Sequence, residues 1–314
     1  MRSSQRGIAL LITLFFIISI TLAVGIGLKQ VNEARDEIEK ENFMIQSSVI
    51  LDDVLKILKK MSKEYDVKND ANGEGFYTFL EESAFIPFES SGVKSSIEIS
   101  SARSKLNVNA IADVNNTNTE EALVEYFQSR MIDLEYIDML FDVIKGKRVE
   151  PPYRTNIFYE KPLLFKDSNN YISSYENLKE INEFYKLSYH DNKIDKINFK
   201  NLFYFSADSN YTLDFNCITS SVKEVIRPND NTIVVDDGIQ DEENMQQSSN
   251  CNIDFCASLS KTEKKELETK YNGTCKPQRN INVVVEVMQH KQRAKIMFEY
   301  NMDSKKGSNF VYEL

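Results

Sequence analysis

Four cysteines carry the most reactive side chains of the sequence, and all lie in its last third: Cys217, Cys251, Cys256 and Cys275. They could form two disulfides, with three pairings open, or bind a metal ion as thiolates. The C-x4-C spacing of Cys251 and Cys256 could give zinc two ligands, but the other two cysteines are widely separated and neither histidine is near. An even number of cysteines in an exported domain is typical of disulfides. The sequence therefore predicts disulfides in preference to zinc.

An acidic segment, "RPNDNTIVVDDGIQDEENMQQ", separates the first cysteine from the others. Its carboxylates could hold calcium, which prefers oxygen ligands, and the candidates are Asp236, Asp237, Asp241 and Glu242. Their spacing does not match an EF-hand loop. A solvated acidic loop is the preferred interpretation, with calcium binding as the alternative.

Two asparagines lie in the sequence Asp-x-Asn-x-Thr, in "DVNNT" and "DSNYT". This is the extended acceptor pattern of some bacterial N-glycosylation systems, and such acceptors lie in exposed loops of exported proteins. Asn115 and Asn210 are therefore candidate glycosylation sites.

The sequence does not predict an enzyme. It contains no G-x-S-x-G, no H-E-x-x-H, no phosphate-binding glycine-rich loop and no dinucleotide-binding fingerprint. No catalytic residue and no organic cofactor are predicted. The formal charge of −10 over 314 residues repels phosphate backbones, so direct nucleic-acid binding is not expected.

The elements that must position these residues begin with an apolar helix. Ile8 to Leu28 is 21 residues without a charge, which as a helix spans about 31 Å, enough for the hydrocarbon core of a bilayer. Arg2 and Arg6 precede this segment, so the N-terminus should stay cytoplasmic and the rest should cross the inner membrane. The segment is longer than the apolar region of a secretory signal, and no Ala-x-Ala site follows it. An uncleaved membrane anchor explains these features.

The membrane helix is predicted to continue as one amphipathic rod to about Ser62, some 80 Å in all. From Lys29 to Met61 there is no glycine or proline, and apolar residues recur at helical spacing. These residues are interpreted as one face that packs against a globular head: Ile38, Ile45, Val49, Ile50, Val54, Ile57, Leu58 and Met61.

The leader and the start of the helix, "RGIALLITLFF", resemble the class III leader of type IV pilins and pseudopilins. The resemblance implies that prepilin peptidase cuts between Gly7 and Ile8, and that the retained helix packs in a filament. The helix residues to which this role is assigned are Leu10, Leu11, Ile12, Leu14, Phe15 and Phe16. Most pilins have Glu at the fifth mature position, where this chain has Ile12; the K-type minor pseudopilins of type II secretion similarly lack that carboxylate. In the pilins that have it, this Glu is thought to meet the α-amino group of the subunit ahead. A subunit at the tip has no subunit ahead of it, so Ile12 fits a tip subunit.

The remainder of the chain is predicted to be α+β. "VKSSIEISS" alternates as an early strand, and three further alternating runs near the C-terminus predict an antiparallel meander with one buried face, ending in Phe310, Tyr312 and Leu314. Between them lie helical patterns, with Thr119 as a predicted N-cap, Gly146 as a C-cap and a capping box at Ser260 and Glu263.

The order of these parts resembles that of the K-type minor pseudopilins, in which a mostly helical domain is inserted into a pilin-like head. "SARSKLNVNAI", "SSYENLKEINEF" and "YTLDFNCITSSVKEVI" resemble phrases of that family, and their Asn107, Asn109 and Asn216 are predicted to form local caps or turns. The predicted segments are a leader (1–7), a transmembrane helix (8–28), its amphipathic continuation (29–62), the first part of a pilin-like head (63–102), an inserted α-domain (103–227), an acidic cysteine-containing segment (228–279) and the C-terminal strands of the head (280–314).

The resemblance implies a structural subunit at the tip of a periplasmic pseudopilus in type II protein secretion, where it initiates or caps assembly. The implied partners are other minor pseudopilins, the inner-membrane assembly platform, prepilin peptidase, membrane lipid and exported cargo. The alternatives are a minor pilin of a competence or type IV pilus apparatus and an uncleaved, single-pass sensor or adhesion protein.

Overall fold

The structure is a computed structural model that describes residues 3–65, 73–90, 92–112, 117–148, 152–165, 171–206, 211–227, 251, 253–290 and 292–313. Within these ranges side chains are described from Leu14 onward, except those of residues 90, 117, 118, 253 and 254.

One helix, α1 (Ser3–Glu64), forms the N-terminal fifth of the chain. Its backbone runs unbroken from the leader through the apolar segment into the amphipathic segment, as the absence of proline predicts. The 62 residues of α1 span about 93 Å at the helical rise. Among the described residues, α1 is the one helix long and apolar enough to cross a membrane.

The head consists of the C-terminal part of α1, a short helix and one antiparallel sheet. These elements are α2 (Glu74–Glu82), β1 (Phe85–Ser90), β2 (Val93–Ser101), β7 (Asn280–Gln289), β8 (Gln292–Asn301) and β9 (Lys306–Glu313). The strand order is β1-β2-β7-β8-β9, and every pair is antiparallel. The inward side chains of β2, β7 and β8 pack against α1 and α2 and form one core.

A second domain is inserted between β2 and β7, which are neighbours in the sheet. Its described helices are α3 (Thr117–Ser129), α4 (Glu135–Lys145), α5 (Ile157–Glu160), α6 (Tyr175–Tyr189), α7 (Phe199–Leu202), α8 (Ser220–Ile226), α9 (Ile253–Ala257) and α10 (Lys261–Tyr271). Two short parallel pairs join distant parts of this domain: β3 (Leu106–Asn107) with β4 (Phe203–Tyr204), and β5 (Leu213–Asp214) with β6 (Gly273–Thr274). The domain has its own apolar core. We call it the α-domain.

The α-domain includes residues that the sequence analysis assigned to a separate acidic segment. Cys256, Leu259 and Tyr271, from α9 and α10 and the turn between them, are buried in its core. The cause is the pairing of β6 with β5, which draws the chain after α10 back onto the domain. The α-domain therefore extends to Thr274.

Several predicted helix ends are confirmed and others differ. The capping box at Ser260 and Glu263 is present, and Gly146 ends α4 with a positive φ of 64°. Thr119 is not the N-cap of α3, because the helix begins two residues earlier. Helix α10 ends with Asn272 in the left-handed conformation, and Gly273 lies in β6.

The C-terminal meander forms as predicted, but its last strand does not bury a face. Phe310 and Tyr312 are 40% and 56% exposed, whereas Ile296 and Phe298 on the neighbouring strand are buried. Among the described strands β9 is at the edge of the sheet, with β8 as its one described neighbour.

Candidate assembly surface

The C-terminal part of α1 has two apolar surfaces on opposite sides of the helix. One packs on the head and contains Phe43, Leu51, Val54 and Leu58, all buried. The other is exposed and consists of Val31, Ile38, Ile45 and Val49, which we call the outer row.

The outer row is continuous because its members are 7, 7 and 4 residues apart. At 3.6 residues per turn this spacing places the four side chains within about 40° of one another around the helix axis. They lie about 180° around that axis from the side that packs on the head. The single face predicted from the sequence is confirmed for Val54 and Leu58, which pack on the head. It was wrong for Ile38, Ile45 and Val49, which lie on the opposite side of the helix. A helical face of this kind matches the packing surface of another helix.

The apolar first half of α1 is exposed along its described side chains, including Leu14, Phe15 and Phe16. Such a surface is stable in lipid or against other apolar helices. Gly7 and Ile8 lie on the helical backbone, and the side chains of Leu10, Leu11 and Ile12 fall outside the described residues.

The α-domain leaves the sheet and returns to it at one point. The Ala102 amide donates to the Asn280 carbonyl at 2.9 Å, which closes the two ends of the insertion as an extension of the β2–β7 ladder. An insertion between adjacent antiparallel strands leaves the register of the sheet intact, so the head can fold around it.

A buried ion pair fixes the α-domain on the sheet at this junction. Arg103 Nη2 donates to Glu299 Oε1 at 2.6 Å, and both side chains are about 10% exposed. The same carboxylate accepts from Asn280 Nδ2 at 2.9 Å and from the Tyr204 hydroxyl at 2.8 Å. The Arg103 guanidinium also lies over the Tyr211 ring. Arg103 and Tyr204 thus join the α-domain to β8 of the head, while Asn280 holds the same carboxylate from the neighbouring head strand β7.

A second polar contact centres on Asp214, which is fully buried. Its carboxylate accepts from the Gln278 and Asn216 amides at 2.9 and 3.0 Å and from the Tyr77 hydroxyl of α2 at 3.3 Å. Burial is the main influence on this group and raises the pKa of Asp214 from 3.8 to about 6, although these hydrogen bonds favour the charged form.

The three asparagines predicted to form local turns also make long-range contacts. Asn109 exchanges hydrogen bonds with the backbone of Ile172, 63 residues away. Asn107 Oδ1 accepts from the Ser206 amide as well as from the amide of Asn109. Asn216 Nδ2 donates to the Tyr77 hydroxyl at 3.0 Å. They therefore hold the α-domain together and attach it to α2.

The four cysteines form two disulfides, Cys217–Cys251 and Cys256–Cys275, and no free cysteine remains. Cys217 packs in the core of the head, whereas Cys256 packs in the core of the α-domain. The short segment between Cys251 and Cys256 is thus tied to both cores.

The other candidate residues fall outside the described part of the chain. They are the calcium candidates Asp236, Asp237, Asp241 and Glu242, and the glycosylation candidates Asn115 and Asn210. Within the described residues, no group of three or more His, Cys, Asp or Glu side chains is arranged to hold a metal ion.

Sequence reasoning missed Arg103, Glu299, Asp214 and the outer row. Arg103 lies within the phrase "SARSKLNVNAI" without a signal of its own, and Glu299 lies in a strand whose alternation predicts an outward, solvated side chain. The seven-residue spacing from Val31 to Ile38 to Ile45 was a signal that could have revealed the outer row.

The fold is shared with a protein of known structure. One chain in the crystal structure of the GspK-GspI-GspJ complex, from the type 2 secretion system of enterotoxigenic Escherichia coli, has a TM-score of 0.56 to this chain and 12% sequence identity. The similarity covers 90% of this chain and 99% of that chain. Neither a protein-family model nor a curated protein matches the sequence. The predicted pilin-like α+β fold is thereby confirmed.

Proposed function

We propose that this chain is a minor pseudopilin that initiates or caps a periplasmic pseudopilus in type II protein secretion. The observation that carries the proposal is the outer row of α1. This row extends the exposed apolar surface of the first half of α1 along the side of the helix that faces away from the head. The similarity of the fold to a chain of a type 2 secretion complex supports the same role.

The outer row favours a structural role because it lies opposite the side of α1 that packs on the head and is not part of the core of the subunit. A helix on the surface of a monomer normally has one apolar side, which packs on the core. Here four β-branched residues face water on the opposite side. Contact with helices of neighbouring subunits would remove them from water at about 25 cal/mol per Å² of apolar area.

A position at the tip is proposed from two features. Ile12 supplies no carboxylate for a subunit ahead of it, and an uncompensated charge in an apolar filament core would be costly. The α-domain adds bulk to the head at the junction of Arg103 with Glu299, where it would obstruct a further subunit. The chain would therefore begin or end a filament and not extend it.

The remaining assignments follow from this role. The N-terminus is cytoplasmic, α1 crosses the inner membrane and the head is periplasmic, where the two disulfides can form. Prepilin peptidase removes residues 1–7, and the partners are other minor pseudopilins, the assembly platform, membrane lipid and exported cargo. We assign the chain no catalytic activity. Calcium binding at Asp236, Asp237, Asp241 and Glu242 is kept as a proposal.

The alternative is a minor pilin of a competence or type IV pilus apparatus, which would use the same fold and the same outer row. A third candidate is an uncleaved, membrane-anchored sensor or adhesion protein. Cleavage of the leader, tested in the Discussion, distinguishes it from the two pilin-like candidates.

A complementation experiment tests the proposal. Deletion of the gene in the native cell should trap exported proteins in the periplasm and leave DNA uptake intact. Ile45→Lys places a charge in the outer row and should fail to restore secretion, whereas Gln46→Lys adds the same charge at an exposed position outside the row and should restore it. Loss of DNA uptake with normal secretion would favour the alternative. Equal rescue by both variants would refute a role for the outer row.

A further inference from the structure

The outer row of α1 is bordered by two flanks that differ in charge. On one flank Arg35 and Asn42 lie three residues before Ile38 and four after it, so both are helical neighbours of that residue. Arg35 Nε donates to Glu39 Oε1 at 2.9 Å, one turn along the same helix. The charges of this flank therefore neutralise each other within α1, and the flank requires no charged partner.

The other flank consists of Ala34, Glu41 and Ser48, which are seven residues apart. Glu41 lies three residues after Ile38 and four before Ile45, so on a helix it is a direct neighbour of both. All five residues are exposed. Ala34 and Ser48 have short side chains, so a helix that packs on the outer row can approach closely on this flank. There it would meet the carboxylate of Glu41.

Glu41 has no cation of its own in α1. Among the described residues neither Glu41 nor Glu37, one turn before it, forms an ion pair, whereas Glu33 pairs with Lys29 at 3.7 Å. Like charges four residues apart repel each other on a helix, so this arrangement is unfavourable in the isolated subunit. A cation supplied by a neighbour at the outer row would offset the repulsion.

We propose that the outer row packs on the helix of another pilin-fold subunit that places a lysine or arginine against Glu41. The inference rests on the proposed function, which supplies such a subunit, and adds which side chain that subunit must carry. Close packing beside Ala34 and Ser48 removes Glu41 partly from water, and a carboxylate in such a place is costly without a cation. Apolar contact along the row then supplies affinity, and the ion pair selects the partner.

The charges beside the row favour a different subunit over a second copy or a lipid surface. Two copies in one membrane run parallel, and side by side in register their Glu41 carboxylates would face each other. Arg35, which borders the same row, is already paired with Glu39. Lipid phosphates carry the same sign of charge as Glu37 and Glu41, so they repel this flank.

The affinity of the full chain for the minor pseudopilins of the same cell tests the proposal. Dissociation constants are measured in detergent at low and high salt, about 50 and 500 mM. Glu41→Gln should weaken binding about tenfold at low salt and little at high salt, because salt screens the pair that it removes. Asp36→Asn removes the same charge at an exposed position on the other side of the helix and should change neither value.

A double-mutant cycle identifies the cation. Each lysine and arginine in the helix of the partner is changed to glutamine and tested with the wild-type chain and with Glu41→Gln. The cation that faces Glu41 should lose about tenfold in affinity against the wild-type chain and almost nothing against the variant.

Glu41→Lys separates a lost contact from a lost fold. It should nearly abolish binding, because it sets two cations against each other. In the isolated chain it places a lysine four residues after Glu37, which is a favourable helical pair. The variant alone should therefore unfold at no lower denaturant concentration than the wild-type chain.

The outcomes distinguish this inference from the function on which it rests. Equal affinities for the wild-type chain and Glu41→Gln at low salt, with binding lost in Ile45→Lys, would overturn the inference and leave the proposed function standing. A cycle in which no cation of the partner couples to Glu41 would do the same. Dimers of the chain alone that compete with the complex would overturn the choice of partner, as would shielding of Ile45 from hydroxyl radicals in the chain reconstituted alone in phosphatidylglycerol vesicles. Failure to bind any minor pseudopilin, together with normal secretion after gene deletion, would overturn both proposals.

Discussion

Arg103 and Glu299 are 196 residues apart in sequence and form a buried ion pair at 2.6 Å between the first turn of the α-domain and strand β8 of the head sheet. This pair lies at the single point where the inserted domain leaves and rejoins the head. It is one of the polar contacts that hold the two domains together, besides those of Asp214 and Asn216 with Tyr77.

We predict that Arg103→Met lowers the free energy of unfolding by about 3 kcal/mol, because it leaves the Glu299 carboxylate buried without its cation. Adding Glu299→Gln should recover part of the loss, since the amide oxygen can still accept from Tyr204 and Asn280. Chemical unfolding of the full chain in detergent measures both variants. The control Arg293→Met breaks the exposed pair with Glu286 and should cost less than about 1 kcal/mol. Equal losses for Arg103→Met and Arg293→Met would contradict the prediction.

The stability should depend on pH through Asp214. Because burial raises its pKa to about 6, the folded chain holds this proton more tightly than the unfolded chain does, whose pKa is near 3.8. The resulting stabilisation is complete below about pH 4 and is lost as the pH rises through 6. Relative to Asp214→Asn, the wild-type free energy of unfolding should fall by about 2 kcal/mol between pH 4 and pH 7. A constant difference between the two proteins across this range would contradict the assigned pKa.

Processing of the leader is expected at Gly7. Intact-mass analysis of the membrane-extracted protein should show loss of residues 1–7 in cells that contain prepilin peptidase. Gly7→Val should block that loss, whereas Gly25→Ala, within the apolar helix and without neighbours, should not affect it. An intact N-terminus in the wild-type protein would favour the uncleaved anchor.

The disulfide connectivity gives a prediction that the cysteine spacing alone could not. Non-reducing peptide mapping should find Cys217 linked to Cys251 and Cys256 linked to Cys275. Removing the second bridge with Cys256→Ser and Cys275→Ser should lower the free energy of unfolding by about 3 kcal/mol, since the bridge restricts the unfolded chain. Free thiols or crossed pairs in the mature protein would refute this connectivity.

Gly273 should not tolerate a side chain. A Cβ at this position would lie 2.4 Å from the Phe215 ring in the core of the α-domain. We expect Gly273→Ala to destabilise the protein by about 1–3 kcal/mol through overpacking. Shortening the facing ring with Phe215→Leu in the same chain should restore part of the stability. The steric explanation fails if Phe215→Leu lowers the free energy of unfolding of the Gly273→Ala chain by as much as it lowers that of the wild-type chain.

The local features of this protein could be predicted from its sequence. The continuous helix, the alternating strands β2, β7 and β8, and the capping box at Ser260 each depend on residues within about ten positions of one another. Periodicity and capping are properties of short segments, so a single sequence reveals them. The order of these parts resembles that of the K-type minor pseudopilins, and this resemblance implied the inserted helical domain.

The tertiary structure alone decided which apolar surfaces are covered. Both sides of α1 have helical spacing, yet the sheet covers Phe43 and Val54 and leaves Ile38 and Ile45 exposed. β9 alternates as its neighbours do, yet its position at the edge leaves Phe310 and Tyr312 in water.

The same limit applies to the buried polar groups. Asp214 and Glu299 have no local sequence signal, because their partners come from segments up to 196 residues away. The sequence by itself determined the elements of this protein and the reach of its membrane helix. Which surfaces remain for assembly depended on how those elements pack, since burial is a property of the folded chain and not of any segment.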